Sequence, residues 1–194
     1  MDTITLAQLL EAVDGALLGD FPDLSAPVSQ VDTDSRNIHD GALFIPLVGE
    51  RFDGHAYIAQ ALRGGAAGCL TALEPPRFLP GKYYVKVAST QRALRDLAAW
   101  YKARFPIPFV AVTGSVGKTT AKDMLAAVLG AKYKVLKTEG NFNNDVGLPL
   151  TLLNLDHTHQ VCVLEMGMDK FGEIDYLGEI VKPQVGVITN IGDA

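Results

Sequence analysis

The 194 residues carry 17 Lys and Arg against 22 Asp and Glu, a formal net charge of −5, with no cluster of basic residues to offset it. Hydrophobic residues make up 48% and charged residues 20%, the balance of a globular chain that can bury one or two cores. That charge argues against general nucleic-acid binding, and no apolar run reaches the ~18 residues that cross a bilayer. The opening "MDTITLAQLL" lacks the basic start and long apolar stretch of a signal peptide. The only cysteines, Cys69 and Cys162, each sit in an apolar run, the setting of buried reduced thiols. A cytoplasmic protein without membrane insertion is the expectation.

In chain order, "TLAQ" at Thr5–Gln8 has capping-box spacing and opens a short helix with Leu6, Leu9, Leu10 and Val13 on one side, stopped by Gly15. "ALFIPLVG" (42–49) is predicted as a buried strand, "HAYIAQALRGG" (55–65) as a helix, and 67–73 and 83–89 as further strands. Leu94, Leu97, Ala98, Tyr101 and Phe105 recur at helical spacing. The prolines of "RFPIPF" (104–109) end that helix, and the domain boundary is expected there, dividing 1–106 from 107–194. The second part alternates strand (109–113), helix (118–129), strand (134–138), helix (148–153), strand (160–166), helix (173–180) and strand (185–190). Such alternation predicts a parallel sheet covered by helices on both faces. The sequence stops at "TNIGDA" directly after a strand, and a fragment of a longer protein is expected.

Between the strand at 109–113 and its helix lies "TGSVGKTT". A Walker loop reads G-x-x-x-x-G-K-[ST], but Val112 occupies the leading glycine's place and a glycine stands at Gly114 instead. The helix N-terminus offers unpaired amides and a partial positive charge. Gly114 and Gly117 let the backbone turn amides toward a phosphate, Lys118 can bridge phosphate oxygens, and the Thr119 hydroxyl is placed to ligate Mg²⁺. The bland reading, a tight turn with an exposed lysine, leaves the coincidence of these residues unexplained.

Glu165 ends the apolar run "VCVLEMG", and ligands of parallel sheets gather outside such strand ends. It serves either as a Mg²⁺ ligand or as an ordinary strand-end carboxylate. In "GNFNNDVGLP" (140–149), Asn141, Asn143 and Asn144 can bind a polar ligand or supply turn conformations, and spacing alone favours the turn. His157 and His159 read as a solvated loop rather than a metal site. His39 has no assigned role, and no Ser-His-Asp or Cys-His grouping stands out.

Taken together, "TGSVGKTT", "TEGNFNNDVGLP" and "VLEMGM", in this order and spacing, resemble the central ATPase domain of the Mur ligases. "DTDSRNIHDGALFIPLVGERFDGHAYIAQALRGGAAG" (32–68) resembles the UDP-binding domain of the same family. The resemblance spans essentially the whole chain. It implies an α/β protein in which an N-terminal α/β UDP-binding domain (1–106) precedes an incomplete parallel-sheet P-loop ATPase domain (107–194).

It further implies that Gly114, Ser115, Val116, Gly117, Lys118, Thr119 and Thr120 hold ATP, that Thr119 and Glu165 ligate Mg²⁺, and that Lys118 and Glu165 are catalytic. Ser35 and Arg36 would lie at the uridine diphosphate end, with 49–52 and His55 nearby, and Asn143 and Asn144 would face the muramoyl-peptide. The "GN-x-NND-x-G-x-P" block points to the member that joins D-alanyl-D-alanine to UDP-N-acetylmuramoyl-tripeptide through an acyl phosphate, as a monomer. The tripeptide-forming ligase and a nucleotide-binding module without turnover are the competing readings. The family commonly has Asn where this loop has Val116, and its later metal-assisting histidine and modified lysine, like its C-terminal domain, lie beyond this sequence.

Overall fold

The protein was analysed as a computed structural model that describes residues 1–21, 23–49 and 52–192. The chain divides into two compact units, Met1–Leu97 and Ala98–Ala194. The division falls inside a helix, upstream of the proline-bearing 104–109 segment.

In the first unit, β1 (Ile4–Thr5) runs into α1 (Leu6–Val13). Thr5 Oγ1 accepts from the Gln8 amide at 3.2 Å while Gln8 Oε1 accepts from the Thr5 amide at 2.9 Å, the reciprocal box that the spacing predicted. The helix stop differs from expectation. Asp14, not Gly15, takes the left-handed conformation at φ 47°. Gly15 is needed for a different reason, since a Cβ there would meet Val85 Cγ1 at 2.6 Å.

β2 (Ala16–Leu18), β3 (Pro27–Val28), β4 (Val31–Asp32) and β5 (Leu43–Phe44) follow. The strand expected over 42–49 is therefore cut to two residues, although the run Ala42–Ile45 is fully buried; Pro46 beyond it has no N–H to give a ladder. A 3-10 turn at Gly54–Tyr57 leads into α2 (Ile58–Arg63), then β6 (Gly68–Thr71) and β7 (Tyr83–Lys86). The sheet order is β2-β7-β6-β5-β4, parallel except for β2, while β1 and β3 form a separate antiparallel pair. Phe44, Ile58, Ala61, Leu62, Cys69 and Tyr84 make up one core cluster between sheet and helix.

α3 (Thr90–Lys102) carries the Leu94, Leu97, Ala98 and Tyr101 stripe, all buried. In the second unit β8 (Phe109–Thr113), α4 (Lys118–Gly130), β9 (Val135–Lys137), α5 (Gly147–Leu152), β10 (Val161–Glu165), α6 (Glu173–Val181) and β11 (Val185–Ile188) alternate as the pattern required. Their sheet is wholly parallel in the order β11-β8-β10-β9. Val110, Val112 and Val163 on one face pack against Ala121, Leu125 and Leu129 of α4. The opposite face, with Phe109, Ala111, Cys162 and Leu164, is buried as well. Among the described residues no helix is long and apolar enough to cross a membrane.

Candidate functional site

The C-terminal ends of β8, β10 and β11 bring the chemistry-bearing residues together, because the parallel register aligns Glu165 with Val112 and Ile188 with Thr113. The turn after β8 requires glycine twice. Gly114 has φ 136° and a Cβ on it would stand 2.1 Å from Thr189 Oγ1; Gly117 has φ 84° and caps α4.

The turn's amides fall into two sets. The Ser115 amide donates to the Asn190 carbonyl at 3.3 Å, and the Val116 amide donates to Asn190 Oδ1 at 2.9 Å. Within the stretch from Gly114 to Thr120, the Ser115 and Val116 amides are therefore already engaged by the protein. The amides of Gly117, Lys118, Thr119 and Thr120 remain: those at a helix start have no intrahelical acceptor, no side chain caps Gly117, and the macrodipole puts positive charge there. Gly117, Thr119 and Thr120 are exposed. Lys118 Nζ donates to the Gly114 carbonyl at 2.7 Å, so its ammonium is drawn back against the turn.

Lys118 also lines a polar cleft of about 340 Å³ with Asn141, Asn143, Asn144, Asp169 and Glu173. Glu173 Oε2 accepts the amides of Asp169 at 2.6 Å and Lys170 at 2.9 Å, and these bonds hold its carboxyl below the usual range.

Glu165 is 3% exposed. Its Oε1 accepts from Asn143 Nδ2 at 2.8 Å, its amide donates to Thr138 Oγ1 at 3.0 Å, and its Oε2 is buried with no hydrogen-bond partner. An orphaned buried carboxylate oxygen is costly, and such an oxygen is the donor a hard divalent cation takes. The residues therefore fit Mg²⁺. Among the described residues no three His, Cys, Asp or Glu side chains cluster, so the protein side offers a sparse ligand set.

The two asparagines divide the readings that the sequence left open. Asn143 orients Glu165, and Gly167 secures it by donating its amide to the Asn143 carbonyl at 2.8 Å. Asn144 Oδ1 accepts the amides of Val146 and Gly147 at 3.2 and 2.8 Å, the turn role. Lys122, Thr138 and Asn190 were missed from the sequence. Lys122 lies one helical turn after Lys118, and Asn190 follows a parallel strand, so a strand-end rule applied to β11 would have found the latter.

In the first unit Arg36 reaches Asp34 through Nε at 2.8 Å and through Nη2 at 2.6 Å. That contact holds the Asp34 carboxyl at about 2. Arg36 is exposed and Ser35 half-buried. His55 is structural: Nε2 accepts the Ala72 amide at 2.9 Å, so Nδ1 carries the proton and donates to Asp53 at 2.6 Å. Val48 pairs with Asp53 across an isolated bridge; Glu50 and Arg51, part of the expected 49–52 segment, lie outside the described residues. His159 Nδ1 accepts the Asp156 amide at 3.1 Å.

Residues 112–194 match the Mur ligase middle domain, and residues 27–102 match the description "Mur ligase family, catalytic domain". The chain is 43% identical over 190 residues to the UDP-N-acetylmuramoyl-tripeptide--D-alanyl-D-alanine ligase of Bacillus subtilis (strain 168), covering 98% of this chain and 41% of that relative. A crystal structure of MurF from Acinetobacter baumannii superposes with TM-score 0.94 at 37% identity, covering 100% of this chain and 42% of the other. MurF from Thermotoga maritima in complex with ADP gives TM-score 0.77 at 36% identity, covering 86% and 38%. The chain thus spans about two fifths of the length of the relatives it matches.

Proposed function

Because this chain belongs to the Mur ligase family, we propose that it forms part of an ATP-dependent ligase that joins D-alanyl-D-alanine to UDP-N-acetylmuramoyl-tripeptide in the cytoplasm. Residues 1–106 would hold the UDP end of the substrate, with the half-buried Ser35 and the exposed Arg36 toward it, and 107–194 would form the first part of the ATP-binding domain. The observation that carries the reading is the pairing of open amides at Gly117–Thr120 with the orphaned Glu165 Oε2 at neighbouring parallel-strand ends.

A carboxylate oxygen is a poor leaving group, so amide formation in water needs activation. The proposed route transfers the terminal phosphoryl group of ATP to the tripeptide carboxylate. The amine of the dipeptide then displaces phosphate from the acyl phosphate. Phosphoryl transfer asks chiefly for alignment and charge neutralisation. The amides of Gly117, Lys118, Thr119 and Thr120 orient the phosphates, and Lys118 leaves the Gly114 carbonyl to bridge their oxygens. Glu165 and the Thr119 hydroxyl would hold Mg²⁺, which supplies positive charge against the phosphates. Asn143 keeps the Glu165 carboxylate in one orientation, so that Oε2 faces its ligand without rotamer loss. Asn144, spent on the α5 turn, serves substrate only through its remaining N–H₂ group.

The test is phosphate release by the full-length protein. Release that needs both UDP-N-acetylmuramoyl-tripeptide and D-alanyl-D-alanine supports the reading. Release with a UDP-muramoyl-dipeptide and a free diamino acid would transfer the assignment to the tripeptide-forming ligase, and no nucleotide binding by calorimetry would reject both. The 194 residues alone are expected to bind nucleotide and not to complete ligation.

A further inference from the structure

Three of the four residues that follow β11, namely Thr189, Asn190 and Gly192, are hydrogen-bonded to the turn after β8. Thr189 donates its amide to the Thr113 carbonyl at 2.9 Å and its hydroxyl lies 2.6 Å from the Val116 carbonyl. Asn190 takes the Ser115 amide on its carbonyl and the Val116 amide on its side chain. Ser115 Oγ donates to the Gly192 carbonyl at 2.8 Å and accepts the Gly192 amide at 3.1 Å. The crossing is so close that no Cβ fits on Gly114.

We propose that Asn190 is a positioning residue that straps the 114–116 turn in its binding shape and so leaves phosphate recognition to the 117–120 amides; this rests on the nucleotide reading above. Here the first half of the turn is spent on the protein itself, so the turn is ordered before ligand arrives. A turn held from both sides loses little conformational freedom on binding, which is a gain in affinity without any added contact. The exposed Val116 side chain makes no polar contact that could replace this hold; its amide is fixed from outside by Asn190 instead. Asn190 touches no reacting atom in this scheme.

Two readouts on the full-length protein separate the strap from the nucleotide reading. Amide hydrogen exchange without nucleotide should show Val116 protected in the wild type. It should lose at least about tenfold in protection in Asn190→Ala, and stay protected in Asn190→Asp, which keeps the acceptor oxygen. Calorimetry with Mg²⁺-ATP should show Asn190→Ala weakened by roughly three- to tenfold, one neutral hydrogen bond's worth, with UDP-substrate binding unchanged. Val116 exchanging as fast in the wild type as in Asn190→Ala overturns the proposal, as does tighter ATP binding by Asn190→Ala, which would make the strap a competitor of the phosphates. A wild type that binds no ATP refutes the nucleotide reading, while the exchange result still decides whether Asn190 holds the turn. If Asn190→Ala does not fold, loss of Val116 protection in Asn190→Asp contradicts the side-chain role.

Discussion

Glu165 separates function from stability at a single side chain. Its Oε1 is held by Asn143, but its Oε2 is buried without a partner, so that oxygen bears a desolvation cost that no hydrogen bond offsets. Replacing it with Gln removes the buried charge and keeps an acceptor for Asn143 Nδ2, with an N–H₂ group in place of Oε2. Glu165→Gln should therefore lower turnover of the full-length enzyme by at least about 100-fold, the scale of losing a charge-stabilising group. The melting temperature should stay level or rise, as for other strained functional sites. A variant that is both active and less stable would make Glu165 an ordinary core carboxylate. The sequence could not show this: strand-end position made Glu165 a candidate, and the burial and the unpartnered oxygen are what set it apart from a surface carboxylate.

Among the elements, α4 does two jobs with one helical turn between them. Its first residue, Lys118, faces the turn, and Lys122 runs inward, 2% exposed, to donate from Nζ to the Thr138 carbonyl at 2.8 Å. Thr138 in turn accepts the Glu165 amide, so the helix, the end of β9 and the end of β10 are tied at one point. Lys122→Met keeps the apolar stem and strands the Thr138 carbonyl. It should cost about 1–3 kcal/mol of stability, read from urea unfolding, and an unchanged midpoint would reject the tie.

Strands β8 and β10, helix α4 and the capping box of α1 were legible because their signals are local: continuous apolar runs, a glycine-lysine turn, a Thr–Gln reciprocal pair. The two- and three-residue strands β1 to β4 were not, since so short a stretch has no period to read and is defined by its partner across the sheet. Gly15 illustrates the same limit. A glycine after a helix suggests a left-handed stop, yet Asp14 makes the stop and Gly15 yields room to Val85.

At the scale of the molecule, acid response follows from how the carboxylates are held. Asp34 is kept at about 2 by the Arg36 guanidinium and Asp156 at about 2 by the Thr158 hydroxyl. Asp53, Asp123 and Glu173 are lowered by His55, by Lys137 and by the Asp169 and Lys170 amides. Each folded value lies below that of the unfolded chain, so the contribution is complete above about pH 4.5. It is lost as the pH falls toward about 2. Stability should be flat from neutral pH down to about 4.5 and decline below it, as followed by denaturant titration. The groups are exposed or half-exposed, so salt should shallow the decline. Loss of stability beginning near pH 6 would point instead to histidine.

The parallel order of the second unit and the meeting of three loops at its strand ends were predictable from alternation. The strap from Asn190 was not, because it joins residues 74 positions apart, and no local pattern encodes such a pairing. The central claim is that the phosphates of ATP are gripped by the amides of Gly117–Thr120 and by the Lys118 ammonium. A crystal structure of the protein with a non-hydrolysable ATP analogue and Mg²⁺ tests it most directly. The terminal phosphates should lie about 3 Å from those amides, with Lys118 released from Gly114 and Asn190 still holding Val116. Phosphates bound elsewhere, or Lys118 still on the Gly114 carbonyl beside a bound analogue, would contradict it.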